Sequence, residues 1–105
     1  MTTEEVSERY KPIDTLIDSI PEETLTGEDG VEYASPGFSL KVRLMLVIHH
    51  CKNMKLRGVD FPAPFSKSEL SELVKPPYTK NKLKQAKSLQ DKYRRLDDES
   101  LRKGE

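Results

Sequence analysis

Residues 39–57, SLKVRLMLVIHHCKNMKLR, restrict the fold of this 105-residue chain most, because they hold its longest apolar run and no glycine or proline. Alternating apolar residues, typical of a strand, are Leu40, Val42, Leu44, Leu46 and Ile48. Apolar residues spaced by three and four, typical of a helix, are Leu40, Leu44, Val47, Cys51 and Met54. Nineteen residues exceed the usual strand of about 3–10 residues. We therefore predict a buried helix, with Ser39 as its N-cap and Gly58 in the left-handed position after its end.

The preceding part, residues 1–37, is predicted to form an acidic N-terminal arm. Its apolar residues follow a helical period, but Pro12 lacks an amide donor and is unfavourable inside a helix. We therefore expect one short helix from about Pro12 to Ile20, with the proline in its first turn. Residues 21–37 have the glycine, proline and acid content of a poorly ordered or extended linker, with a turn at residues 27–30.

Two further helices are predicted after residue 65. Ser66 and Glu69 match the capping-box pattern at the start of a short helix, which must end before the proline pair 76–77. Thr79 is a suitable N-cap for a longer helix over residues 80–98. Its apolar stripe consists of Leu83, Ala86, Leu89, Tyr93 and Leu96. The tail 99–105 is expected to fray.

These elements predict a mainly α fold with three parts: the arm 1–37, a basic helical domain 38–98 and the tail 99–105. A short helix, a turn and a basic helix follow one another in the order of a helix-turn-helix, with or without a wing. The turn, residues 75–79, is longer than usual and lacks glycine. The predicted core consists of Leu40, Leu44, Val47, Ile48, Cys51, Phe65, Leu70, Leu73, Leu83, Leu89 and Tyr93.

Charge is segregated along the chain, although 18 basic and 18 acidic side chains give a net charge of zero. Residues 1–35 carry ten acids and two bases, whereas residues 36–96 carry fourteen bases and four acids. Residues 97–105 are acidic again, with four acids and two bases. A basic module of this kind is typical of proteins that bind a polyanion, most often nucleic acid.

The candidate site is the basic segment 75–95, in which eight bases accompany a single acid, Asp91. Lysine, arginine and serine can hold phosphates, amide side chains can pair with adenine edges, and a tyrosine can stack on a base. The predicted nucleic-acid-binding residues are Lys75, Tyr78, Lys80, Asn81, Lys82, Lys84, Gln85, Lys87, Ser88, Arg94 and Arg95. We expect DNA in preference to RNA.

Other site types find little support in the sequence. His49 and His50 are adjacent, so on a helix they point about 100° apart, and no metal-ligand spacing surrounds them. Asp14 and Asp18 lie one turn apart without an implied pocket. We therefore expect no catalytic residue, no metal and no cofactor.

The expected location is cytoplasmic, with the nucleoid or nucleus as alternatives. No apolar stretch approaches the ~20 residues of a membrane span, so no membrane partner is expected. The N-terminus is acidic and lacks the features of a secretory signal. The lone Cys51 cannot form an internal disulfide, which is typical of a reducing compartment.

Two functions remain open from the sequence. The first is a small DNA-binding regulator or accessory factor, in which the acidic arm contacts a protein partner or self-associates. The second is a helical interaction or assembly module that binds an acidic protein partner without nucleic acid. RNA binding would use the same basic surface as the first.

Overall fold

The computed structural model describes residues 2–103, and its described part contains four helices and one two-stranded hairpin. The elements are α1 (Thr3–Asp18), β1 (Thr24–Thr26), β2 (Glu32–Ala34), α2 (Pro36–Leu56), α3 (Lys67–Leu73) and α4 (Lys80–Lys103). The mainly α class is confirmed. The segment 39–57 is helical almost throughout, so its length was a better guide than its alternating pattern.

Helix α2 is the centre of the fold, with α1 on one side and α4 on the other. Helix α1 runs antiparallel to α2, because Asp14 contacts Lys52 while the Asp18 carbonyl accepts from Lys41. Helix α4 runs in the same direction as α2. Its contacts with α2 join residues 43 and 90 and residues 50 and 97, which are 47 positions apart in both cases. Helix α3 packs against α1.

The N-cap of helix α2 lies four residues earlier than predicted. Ser35, not Ser39, is the N-cap, since its hydroxyl accepts from the Phe38 amide at 3.2 Å and Pro36 occupies the first turn. The end agrees with the prediction. Gly58 adopts a φ of +74° just past the C-cap, and the residue after it, Val59, donates to the Met54 carbonyl at 3.0 Å.

Helix α1 begins about nine residues earlier than predicted, and Pro12 lies inside it. Thr2 and Glu5 form a capping box at its start. Pro12 is tolerated because it and Glu8 are exposed, so water can satisfy the carbonyl that lacks an amide partner. Buried side chains lie on both sides of the proline, and their packing on α2 holds both halves helical.

One hydrophobic core joins α1 to the rest of the chain. Nine of the eleven predicted core residues are buried, whereas Leu83 and Leu89 are partly buried at its edge. The prediction was incomplete, because the same core also contains four N-terminal residues. These are Val6, Tyr10, Ile17 and Ile20. Residues 3–20 therefore belong to the packed body of the protein.

The predicted linker contains the hairpin, in which Leu25 lies opposite Tyr33. The expected turn at residues 27–30 is present, since the Gly30 amide donates to the Gly27 carbonyl at 3.0 Å and Gly30 has a φ of +78°. The three residues of each strand are exposed on the surface.

The C-terminal elements begin as predicted, but the last helix is longer. Ser66 and Glu69 form the expected capping box, and the Thr79 hydroxyl accepts from the Lys82 amide at 3.3 Å. Helix α4 continues to Lys103, past residue 99, where the predicted tail begins. Burial of Asp97 and Ser100 against the end of α2 keeps this part helical. Residues 104–105 of the predicted tail lie outside the described residues.

Candidate nucleic-acid interface

The orientation of α4 is set by its buried stripe. Ala86 and Tyr93 are fully buried, and three leucines of the same stripe pack against the core. The Tyr93 hydroxyl donates to the Pro62 carbonyl, and the Tyr93 ring meets Phe61 edge to face at 6.1 Å. These contacts prevent α4 from rotating about its axis, so its remaining side is held toward solvent.

Four of the predicted phosphate-binding residues form an exposed row on the solvent side of α4. The row consists of Lys80, Lys84, Lys87 and Arg94. At about 100° per residue, Lys84 points about 200° away from the buried Ala86. Among residues 2–103, no side chain forms an ion pair or hydrogen bond with any of these four cations. The row is therefore available to an external anion.

An acidic residue interrupts this row. Asp91 lies four residues after Lys87 and three before Arg94, which places it between them on the same helix face. Asp98 follows Arg94 at the next turn. Positive charge is therefore concentrated in the first two turns of α4, and Arg94 stands between two carboxylates.

A second row beside the lysines carries uncharged polar side chains. Asn81, Gln85 and Ser88 follow one another at spacings of four and three, and Arg95 continues their line seven residues later. All four side chains are exposed, and none has a hydrogen-bond partner within the part of the chain that the structure describes. The two rows together form one face, which we call the α4 polar face.

Lys75 and Lys82 are engaged in local contacts at the edge of the α4 polar face. The Lys82 ammonium donates to the Lys75 carbonyl at 2.6 Å, and Lys82 is half-buried. The Lys75 ammonium lies 3.5 Å from Glu72, and both side chains are largely exposed. Lys75 can exchange this weak surface pair for a phosphate, whereas Lys82 must first leave the backbone carbonyl.

Tyr78 is half-buried and packs against α2. Its ring lies so close to Gly37 that a Cβ at that glycine would be 2.7 Å from the ring. The Tyr78 hydroxyl donates to the Val74 carbonyl at 3.1 Å. One region of the ring is therefore covered by the first turn of α2, which leaves less of it for stacking on a base than the sequence suggested.

Arg43 was not predicted as a site residue, yet it lies beside α4. Its guanidinium donates to the Gln90 amide oxygen at 3.0 Å, and the side chain is partly exposed. This places a positive charge from α2 at the margin of α4. No local sequence signal indicates the contact, because it depends on the parallel packing of two helices 47 residues apart.

The two histidines and the cysteine have separate surroundings. His50 Nδ1 lies 2.7 Å from Asp97, whereas His49 is exposed and contacts Asn53. Cys51 is buried, and burial together with the nearby Asp97 charge raises the pKa of its thiol to about 12. Within residues 2–103, no three His, Cys, Asp or Glu side chains are grouped so that they could hold a metal ion.

Among the described residues, no helix combines the length and the apolar content needed to cross a membrane. Comparison of the chain with protein-family models, with curated proteins and with solved structures finds no match.

Proposed function

We propose that this protein is a small, non-enzymatic DNA-binding protein, a regulator or accessory factor, that docks the N-terminal half of α4 on nucleic acid. The observation that carries the proposal is the row of Lys80, Lys84 and Lys87. Its cations are exposed, have no partner among the described residues and point away from the buried stripe. Phosphate groups along a DNA backbone are the anions that such a row would contact.

The charge pattern in the first turn of α4 opposes the helix macrodipole, which supports a functional reason for it. This turn carries Lys80 and Lys82 and no acid, although the positive end of a helix favours acids. Each such unfavourable placement costs about 0.3–1 kcal/mol at low ionic strength. Bound phosphate would remove the cost at the first turn, because it neutralises the lysines and accepts from the free amides.

The chain order also supports α4 as the docking element. A short helix, a turn and a basic helix follow the order of a helix-turn-helix, in which the second helix lies in the major groove. We propose that the exposed Asn81, Gln85 and Ser88 contact base edges while the lysines hold phosphates. This role favours DNA over RNA, whose deep major groove admits side chains poorly. It also implies a location in the cytoplasm, nucleoid or nucleus.

A matched pair of charge reversals tests the proposal. The variant K84E/K87E changes two cations of the row, and the control K11E/K67E changes two exposed lysines on α1 and α3. Both lower the net charge by the same amount. Binding to duplex DNA is measured by fluorescence anisotropy from ~50 to ~200 mM salt, a range over which a protein that neutralises six to ten phosphates changes its affinity by about 10³–10⁵.

We expect K84E/K87E to bind far more weakly than the control at low salt. Its salt slope should become shallower by about 0.9 for each phosphate that the variant no longer neutralises. Equal binding by the two variants would contradict docking through α4. A parent protein that binds neither DNA nor RNA at ~50 mM salt would exclude the nucleic-acid proposal altogether.

The second candidate function is a helical interaction module, and a separate surface favours it. Helix α2 exposes four large apolar side chains on the side that faces away from the core. These are Val42, Met45, Leu46 and Leu56. Soluble monomeric proteins rarely expose several large apolar side chains on one helix face. In this function the α4 polar face would contact an acidic protein, and the exposed acids of residues 1–37 would contact a further partner or another copy.

A further inference from the structure

The outer face of α2 is apolar, although it points to solvent. Met45 is 49% exposed, Val42 42%, Leu56 39% and Leu46 37%. These positions, together with the exposed His49, span about 100° of the helix and follow spacings of three, four and seven. Over residues 40–48, helix α2 is therefore apolar on its outer side as well as on its buried side, which is typical of a helix that is covered on both sides. The polar His49 and Asn53 lie in the stripe between Leu46 and Leu56. We call this surface the α2 outer stripe.

The two margins of the α2 outer stripe each offer a charge of opposite sign. On the α1 side, Asp14, Asp18 and Lys52 border a surface cleft shared with Met45 and His49, and Lys52 pairs with Asp14 at 2.7 Å, so Asp18 is the carboxylate available to a partner. On the α4 side, Arg43 and Arg94 border the stripe, and Arg94 stands between Asp91 and Asp98. Because Gln90 lies beside Arg43 and Asp97 beside His50, Arg94 lies beside the part of α2 near residue 47. Because Asp18 lies beside Lys41, it is at a similar level along α2 to Arg43 on the opposite margin.

We propose that a second copy of this chain covers the α2 outer stripe, with the two α2 helices parallel and the two-fold axis running along them. In that arrangement α1 of each copy lies over α4 of the other. Asp18 then faces the Arg43 side of the partner, and the contact occurs twice in the dimer. An antiparallel arrangement would instead place α1 over α1, and Asp18 would not meet the partner's Arg43.

The size of the stripe also requires contacts from its margins. A stable interface buries about 800 Å² on each partner, more than four half-exposed side chains supply. The flanking helices must therefore take part, and their charges select the partner. A surface with an available carboxylate, Asp18, on one margin and a cation, Arg43, on the other is complementary to itself under the parallel two-fold axis. The proposal does not depend on DNA binding.

Cysteine cross-linking tests both the dimer and its direction. The variants V42C and L56C each place one thiol near an end of the stripe, about 21 Å apart along the helix. A bis-maleimide reagent much shorter than that distance should link V42C to V42C and L56C to L56C. In the antiparallel arrangement, neither variant would link to itself, but a mixture would give a 42–56 product. Buried Cys51 serves as the internal control, since the parent protein should give no product.

A second set of variants tests the stripe and its margins by sedimentation. M45E should shift the protein toward monomer, whereas the control V31E, at an exposed apolar residue of the hairpin turn, should not. D18R and R43D should each weaken dimerisation by about fivefold or more, because the altered contact occurs twice. The double variant D18R/R43D should recover the affinity of the parent, since it restores opposite charges between copies.

Three results would overturn the proposal. The first is a parent protein that remains monomeric at ~100 µM, a concentration that fills any dimer of micromolar affinity. The second is a 42–56 cross-link without self-links. The third is a dimer that M45E leaves intact while the circular dichroism of each variant matches that of the parent. DNA binding measured in the same samples separates these outcomes from failure of the α4 polar face.

Discussion

The Nδ1 atom of His50 lies 2.7 Å from Oδ2 of Asp97, and this pair joins the last turns of α2 to the C-terminal half of α4. Arg57 donates to the other carboxylate oxygen and to the Ser100 hydroxyl. Asp97 is only 4% exposed, so its charge is compensated by these partners. This carboxylate, which the sequence places near the end of the predicted helix 80–98, is the polar centre of the contact between the two helices.

The first prediction concerns this contact. Substituting Asp97→Ala should lower the free energy of unfolding by about 1–3 kcal/mol at pH 7, because His50 and Arg57 lose their acceptor. Arg57 is about one-third exposed, so water can partly replace that acceptor. The control is Asp98→Ala, a neighbouring exposed carboxylate that should change stability by no more than about 0.5 kcal/mol. Urea denaturation of both variants measures the difference. Equal stabilities would show that Asp97 contributes nothing.

The pH dependence of stability follows from the same carboxylate. Burial raises the pKa of Asp97, but hydrogen bonds from His50 and Arg57 and the Arg57 charge outweigh it, so the pKa lies below its ordinary value. In the unfolded chain, the pKa of this carboxyl is about 3.9. The stabilisation is therefore complete above about pH 5 and is lost as pH falls through the folded pKa. Parent and Asp97→Ala should differ most at neutral pH and converge at low pH, and a constant difference would contradict this assignment.

Because Gly37 and Tyr78 lie so close together, Gly37→Ala should have opposite effects on stability in the parent protein and in a Tyr78→Ala variant. In the parent, Gly37→Ala should destabilise the protein, because the new Cβ would lie 2.7 Å from the ring and the ring cannot move without leaving the core. In a Tyr78→Ala background the same substitution should stabilise by up to about 1 kcal/mol, since alanine is a better helix former than glycine. A double-mutant cycle from thermal or urea unfolding measures the coupling. Similar effects in both backgrounds would contradict the contact.

The two sides of α2 should respond differently to truncation. Leu44 is fully buried, so Leu44→Ala should cost about 2–5 kcal/mol, a large share of the stability of a small domain. Met45, the next residue, is about half exposed, and Met45→Ala should cost far less in a monomeric sample. The two variants are compared by urea denaturation at low protein concentration, because association through the α2 outer stripe would otherwise add to the stability. A comparable cost at both positions would mean that Met45 is also buried in solution.

The exposed acids of residues 1–35 should weaken DNA binding, but the segment that carries them is needed for folding. Deleting residues 1–35 should unfold the protein, because Val6, Tyr10 and Ile17 would leave the core. Substituting exposed acids instead, as in E4Q/E8Q/E23Q, keeps the core and removes three negative charges. We expect this variant to bind DNA more tightly at low salt and equally at high salt, since long-range repulsion is screened. Weaker binding by a folded variant would show that these acids assist the interaction.

The features that the sequence alone determined are those that depend on residues within a few positions of each other. The capping box at Ser66, the Thr79 N-cap and the left-handed Gly58 just after the C-cap of α2 follow from local hydrogen bonds and from glycine's access to positive φ. The lysine row of α4 follows in the same way from helical spacing. Its exposure could be predicted because the apolar stripe specifies which side of the helix is buried.

Tertiary packing decided the features that depend on distant partners. Pro12 should have ended a helix by local rules, but burial of Tyr10 and Ile17 on α2 outweighs one missing hydrogen bond. Asp97 should have faced water by its charge, but His50, 47 residues away, holds it inside. Within the candidate site, the packing of the Tyr78 ring against Gly37 likewise joins residues that are far apart in the sequence. Such contacts depend on which helices pack side by side and in which direction, and no local pattern encodes that choice.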